Sequence, residues 1–354
     1  MMTLPPLIDW RQLLTQSICS PQQLDYSALS IEHEVDKVVQ KYPMRINPYY
    51  AGLMQTPLDP IWRQAVPDPA ELEDNLGQKD PLAEEQQSAV PNVIHRYPNR
   101  VVFLVSNRCA VYCRHCMRKR RVGMDAGIDA ATISRGIKYI AKSTNIFDVI
   151  LSGGDPLLLE DQSLFDIVMQ LRTIPHVKII RIHTRVPCTL PQRITPQLVS
   201  GLAQFHPLWL NTQFNHPLEI TNQARLACSL LVDAGIPIGC QTVLLRHIND
   251  SAEILTELMK KLLQIRVKPY YLHHPDQIEG TRHFWVSPEK GLAIMNRLQG
   301  YLPGLAVPRY MIDLPGGGGK VPILPESIVE KKTGLWRIRN YEGKIFEYPF
   351  ESSE

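Results

Sequence analysis

From Arg100 onward, short β-branched apolar runs alternate with stretches of helical period. The runs Val101–Ser106, Phe147–Ser152, Val177–His183, Leu208–Thr212, Ile236–Leu245, Val267–Leu272 and Val307–Asp313 predict strands. Helices are predicted between them, near 129–142, 161–174, 195–205, 220–234, 251–265 and 288–300. Such alternation implies parallel strands joined by right-handed crossovers. Periodicity alone fits an open sheet, a full barrel or a partial barrel. In each case the loops after the strands carry the site.

The flanks differ. Residues 1–95 are rich in Pro, Gln and acidic side chains. They show helical patterns near 20–40 and 60–75 and no strand alternation, so a helical N-terminal arm is expected. Residues 96–320 form the expected core, and 321–354 a short C-terminal segment. In that segment Leu335–Asn340 and Lys344–Tyr348 read as a hairpin turning at Glu342 and Gly343.

Composition sets bounds. The 354 residues are 44% hydrophobic, as a folded globular chain requires. A formal charge of +3 is small for this size and argues neither for nucleic acid nor for an acidic membrane surface, and neither is expected as a partner. No apolar run has the length to span a bilayer, and the first residues lack a secretory pattern. The seven cysteines show no disulfide framework, so a reducing, intracellular compartment is expected.

Three of those cysteines, Cys109, Cys113 and Cys116, lie in C-x3-C-x2-C spacing just after the first predicted strand. Three thiolates on one loop can hold three irons of a 4Fe–4S cluster and leave the fourth open to a ligand. Zinc, with His115 as fourth ligand, is the competing reading, but zinc sites usually use two separated pairs. Buried structural cysteines are a third, and five neighbouring cations (Arg108, Arg114, Arg118, Lys119 and Arg120) weigh against it. A second motif, Ser152-Gly153-Gly154-Asp155, ends the second strand. Its glycines allow close backbone approach to a ligand, and Asp155 could hold an ammonium. The third is Pro315 followed by four glycines and Lys320. A phosphate-binding G-x4-G-K-S/T loop is excluded, because Leu314 stands where the first glycine belongs and Val321 follows the lysine. A lysine on such a loop can form an imine with an aldehyde such as pyridoxal phosphate (PLP), or can be a flexible surface residue.

The cysteine and Gly-Gly-Asp loops together resemble the radical S-adenosylmethionine (SAM) superfamily. From about Lys41 to the C-terminal hairpin the chain resembles lysine 2,3-aminomutases. The matching stretches include Pro43–Tyr50, Asp80–Glu84, Val90–Pro98, Tyr112–Arg118, Leu151–Asp155, Asn211–Pro217, Gln241–Arg246 and Pro315–Lys320. The resemblance implies an α/β fold, a partial (β/α) barrel of the radical SAM type. It implies a cluster on Cys109, Cys113 and Cys116, SAM contacted by Ser152, Gly153, Gly154 and Asp155, and PLP carried by Lys320. Arg96, Tyr97, Arg100 and Gln241 are implied at PLP. Arg118 is implied for the substrate carboxylate, and Asp276 and Asp313 for the distal ammonium of L-lysine.

The implied reaction is reductive cleavage of SAM to a 5′-deoxyadenosyl radical, hydrogen abstraction at Cβ, and migration of nitrogen from Cα to Cβ, giving β-lysine. An electron donor such as flavodoxin or ferredoxin, a homo-oligomer and a cytoplasmic location are further implications. The chain ends at Glu354 without the zinc-binding C-terminal extension of longer relatives, and His273 stands where those tend to have tyrosine. Supply of β-lysine for elongation factor P modification, or action on a different amino acid, are the alternatives.

Overall fold

The computed structural model describes residues 9–24, 32–124 and 128–351. Four short helices precede the sheet: α1 (Trp10–Thr15), α2 (Glu32–Lys41), α3 (Pro48–Ala51) and α4 (Trp62–Ala65). The helical pattern near 20–40 is thus realised in α2, and its residues 25–31 lie outside the described ones.

Ten strands follow in one sheet: β1 (Ser88–Val90), β2 (Val93–Tyr97), β3 (Arg100–Ser106), β4 (Asp148–Gly153), β5 (Ile179–His183), β6 (Leu208–Thr212), β7 (Ile238–Val243), β8 (Lys268–His273), β9 (Arg309–Leu314) and β10 (Gly319–Pro322). Their spatial order is their sequence order. From β3 to β9 every pairing is parallel. The outer pairings, β1 with β2, β2 with β3 and β9 with β10, are antiparallel. The crossover helices are α5 (Ala130–Lys142), α6 (Asp161–Arg172), α7 (Val186–Thr189) with α8 (Pro196–Ala203), α9 (Asn222–Asp233), α10 (Ala252–Gln264) and α11 (Pro288–Leu298). Each crossover steps to the next strand in the same direction, so right-handed connections put the helices on one face. The sheet curls with the other face inward and does not close: β1 and β10 remain its edges. This is the α/β partial barrel that the resemblance implied.

Strand chemistry decides which face is which. In β5, Ile180 and Ile182 are buried, while Ile179, Arg181 and His183 are half-buried and line the interior. In β7, Ile238, Cys240 and Thr242 are buried, and Gln241 and Val243 face inward. The apolar core therefore lies between sheet and helices. Helix α10 buries Leu255, Leu258, Met259 and Leu262, the three- and four-residue spacing of one helical face. Its N-cap Ser251 accepts from the Ile254 N–H, and Asp129 caps α5 by accepting from Thr132.

Four strands were not expected. β1 and β2 lie where the sequence shows no alternation, and β10 continues the glycine run. The C-terminal hairpin is present as β12 (Leu335–Arg339) and β13 (Ile345–Pro349), and β11 (Ile328–Lys332) adds a third strand to this separate sheet. The arm packs beneath the cysteine loop: Ile46 bridges Val111, and Asn47 donates to the carbonyls of Ala110 and Thr189 at 3.2 and 2.8 Å. Among the described residues no helix is long and apolar enough to cross a membrane.

Candidate active site

The inward face encloses a cavity of about 720 Å³. It is lined by Cys109, Cys113, Cys116, Arg118, the Ser152–Asp155 run, Arg96, Tyr97, Arg100, Gln241, Asp276, Asp313 and Lys320. Every site residue expected from the sequence is thus in one place.

The cysteine loop leaves β3 and is fastened from outside the cavity. Buried Arg114, between Cys113 and His115, donates through Nε and Nη2 to Glu71 at 2.8 and 2.6 Å. Lys119 Nζ meets the same carboxylate at 2.5 Å and donates to the Gly280 carbonyl at 2.9 Å. Burial alone would raise the Glu71 pKa, but the two cations outweigh it and hold the carboxyl at about 2. Enclosure by protein pushes the thiols of Cys109 and Cys116 up, Cys116 to about 11. Thiolates at these positions need a compensating positive group, as a metal cluster provides. Among the described residues no three Cys, His, Asp or Glu side chains gather around one point for a single ion. A mononuclear zinc needs all its donors within about 2.0–2.3 Å of one atom, whereas a cluster takes each thiolate on a different iron. Three thiols on one loop facing the cavity can each take a different iron, so the donor set fits a cluster.

The Gly-Gly-Asp run packs backbone to backbone against the exit of β3. Gly153 has φ +127°, and a Cβ there would stand 2.2 Å from the Ser106 carbonyl oxygen. A Cβ on Gly154 would stand 2.4 Å from the Arg108 carbonyl. Asp155 acts locally as a fastener. Its Oδ1 accepts from the Leu157 N–H at 3.0 Å and Thr184 Oγ1 at 2.6 Å, and its Oδ2 from the Arg185 N–H at 2.8 Å. The freedom to hold an ammonium, expected from sequence, is reduced by these three donors.

At the other end, β9 and β10 place Lys320 directly opposite Asp313. Lys320 Nζ forms an ion pair with Asp313 Oδ2, and its backbone N–H donates to Tyr97 Oη at 2.8 Å. The Arg100 guanidinium lies 3.8 Å over the Tyr97 ring. Arg96 donates to Gln87 Oε1 and the Leu82 carbonyl at 2.7 and 2.9 Å, and its Nη1 is 3.5 Å from Asp313. A Cβ on Gly317 would stand 2.0 Å from Gln87 Nε2, whereas Gly316, with φ +66°, has open space around it and is constrained by its backbone alone. Asp313 Oδ1 is buried without a hydrogen-bond partner, and burial next to Asp313 pushes Asp276 up to about 7. A carboxylate oxygen without a hydrogen bond, 3.5 Å from the Arg96 guanidinium and beside a second carboxyl, can take a further cation. A primary amine, three cationic or phenolic groups and a lined cavity also fit PLP.

Arg118 is not free. Its Nε and Nη2 donate to both oxygens of Glu84 at 3.1 and 2.7 Å, and its Nη1 to Ser152 Oγ at 3.2 Å. Sequence reasoning missed Glu84, although it ends a stretch that carries the resemblance. It also missed Arg185, which reaches Cys113, and His183, whose ring nitrogen receives Asn211 Nδ2 at 3.0 Å. Burial holds the His183 and His273 pKa values well below the usual imidazole range, so both rings are neutral.

A family profile described as Lysine-2,3-aminomutase matches residues 295–353, and one described as a 4Fe-4S single cluster domain matches 99–188. The L-lysine 2,3-aminomutase of Clostridium subterminale is 44% identical over 347 residues, covering 96% of this chain and 83% of the relative. The glutamate 2,3-aminomutase of Clostridioides difficile (strain 630) is 42% identical over 316 residues, covering 88% and 75%. A solved radical SAM methyltransferase from Sphaerobacter thermophilus superposes with TM-score 0.42 at 16% identity, over 62% of this chain and 68% of that one. Near-full-length identity of this order, with the cysteine loop and Lys320 facing one cavity, places the chain in the radical SAM lysine 2,3-aminomutase family of isomerases.

Proposed function

We propose that this chain is a PLP-dependent 2,3-aminomutase that converts L-lysine to β-lysine. The observation that carries the reading is the meeting of Lys320, Asp276 and Asp313 with the three cysteines in one cavity. Relatives acting on lysine and on glutamate are about equally similar, 44% and 42% identical, so identity does not choose the substrate. Charge favours lysine. Asp276 and Asp313, whose Oδ1 lacks a hydrogen bond and has only the Arg96 guanidinium 3.5 Å away, suit a distal ammonium better than a distal carboxylate.

Cys109, Cys113 and Cys116 would hold the cluster, and Ser152 to Asp155 would border SAM. Arg96, Tyr97, Arg100 and Gln241 would surround PLP on Lys320. When bound, the cluster and SAM supply the hydrogen-abstracting radical, and PLP supplies the aldehyde that carries the migrating nitrogen. The protein's part is geometric and electrostatic. Arg118, kept rigid by Glu84, offers the substrate carboxylate the outer edge of its guanidinium. Asp276 and Asp313 fix the far end, which sets Cβ along the cavity, and the surrounding barrel and arm limit water.

The test is anaerobic reconstitution with iron, sulfide and PLP, followed by SAM, dithionite and L-lysine and chiral chromatography for β-lysine. β-Lysine that requires both PLP and SAM is the expected result. SAM cleavage without β-lysine would show that lysine is the wrong substrate. Flavodoxin or ferredoxin should replace dithionite as the electron donor, and sedimentation should show a homo-oligomer.

A further inference from the structure

Arg185 follows β5 and touches both chemical loops. Its backbone N–H donates to Asp155 at 2.8 Å, and its Nη1 donates to Cys113 Sγ at 2.7 Å. Nη2 donates to Gln64 Oε1 at 2.6 Å, Glu219 Oε1 at 2.7 Å and Tyr50 Oη at 3.3 Å. A planar guanidinium with Nη2 fixed in this way has no freedom left at Nη1. The side chain is only 8% exposed, and its Nε is buried without a partner. Pairing with Glu219 alone does not account for this arrangement. Glu219 already accepts the Asn215 and His216 N–H groups on Oε2 and the Tyr50 hydroxyl on Oε1.

We infer that Arg185 is a positioning residue that tunes the cluster, holding the Cys113 sulfur and raising the cluster's reduction potential. The inference rests on the reading that Cys109, Cys113 and Cys116 carry a 4Fe–4S cluster. Reduction adds one electron, taken from the external donor, and makes the cluster more negative by one charge. A fixed cation and an N–H donor at a ligand sulfur favour that form. Glu219 opposes the effect by neutralising part of the guanidinium.

The experiment is mediated reduction of the reconstituted full-length protein, with the reduced cluster counted by EPR at each potential. Arg185→Gln should shift the one-electron equilibrium about tenfold toward the oxidised cluster, a fall of about 59 mV, and Arg185→Lys, which keeps the charge but loses the fork, should shift it the same way by less. Glu219→Gln should shift it the other way, because Arg185 then acts unopposed. The double variant Arg185→Gln/Glu219→Gln removes the buried pair together and should fall between Arg185→Gln and the parent, because no uncompensated Glu219 charge remains. If Arg185→Gln fails to fold, the sign in Glu219→Gln decides. Unchanged potentials, or shifts of one sign in both series, would overturn the inference. Iron and sulfide analysis keeps the two claims apart: a parent protein that takes up no cluster defeats the underlying reading, whereas a full cluster with an unmoved potential defeats only this one.

Discussion

Asp276 releases its proton near 3.8 in the unfolded chain, but burial beside Asp313 pushes it up to about 7 in the fold. Between those values the folded state holds a proton that the unfolded chain has lost. Stability therefore falls as pH rises through that window and stays lower above it. Asp276→Asn removes the ionisation, so at about pH 8 it should be more stable than the parent by roughly 2–4 kcal/mol, measured by chemical denaturation. The same variant should lose lysine turnover about 100-fold, matching the roughly 3 kcal/mol of a lost charge-assisted hydrogen bond. A variant that gains no stability, or that turns over lysine normally, contradicts the role given to Asp276. Lys320→Ala should abolish the visible absorbance of bound pyridoxal while retaining iron and sulfide. Joint loss of both would mean that the two ends of the cavity fold as one unit. Lys320 was legible in the sequence because its glycine neighbours mark it. Glu84 and Arg185 were not: the partner of each lies 34 or 72 positions away in the chain.

At the scale of elements, the cysteine loop owes its shape to the buried Glu71, Arg114 and Lys119 cluster as much as to its own sequence. Glu71→Gln strands one guanidinium, and Lys119, already lowered to about 8, sheds its proton more readily. The expected cost is about 3–5 kcal/mol in urea unfolding, with lower iron uptake. A change under about 1 kcal/mol would show that the arm does not support the loop. Gly153→Ala should lose iron more readily, since both its φ and its contact with Ser106 forbid a methyl group. The seven parallel strands were visible because short apolar runs regularly separated by stretches of helical period leave little choice. β1 is three residues long and β10 is Gly-Lys-Val-Pro, too short and too poor in strand-forming residues to show a period. β10 exists because β9 offers it an edge to pair with, and no local pattern records that.

At the scale of the molecule, the periodicity fitted three architectures, and in the fold the sheet stays open between β1 and β10. Closure depends on tilt and stagger across many strands, which no single segment encodes. The C-terminal sheet shares no pairing with the larger one, and Tyr341 lies against Gly300, where a Cβ would meet its ring at 2.2 Å. Deleting residues 327–354 should therefore preserve both the cluster and the Lys320 chromophore, with loss of either showing that the tail braces the barrel. The ion pair between Lys320 and Asp313 has one more consequence. The protein's own lysine side chain already serves as the guest of the carboxylate assigned to the substrate. Free lysine would then enter as a replacement guest of the same shape and charge, and the host need not be remade to receive it. A glutamate side chain could make no such exchange.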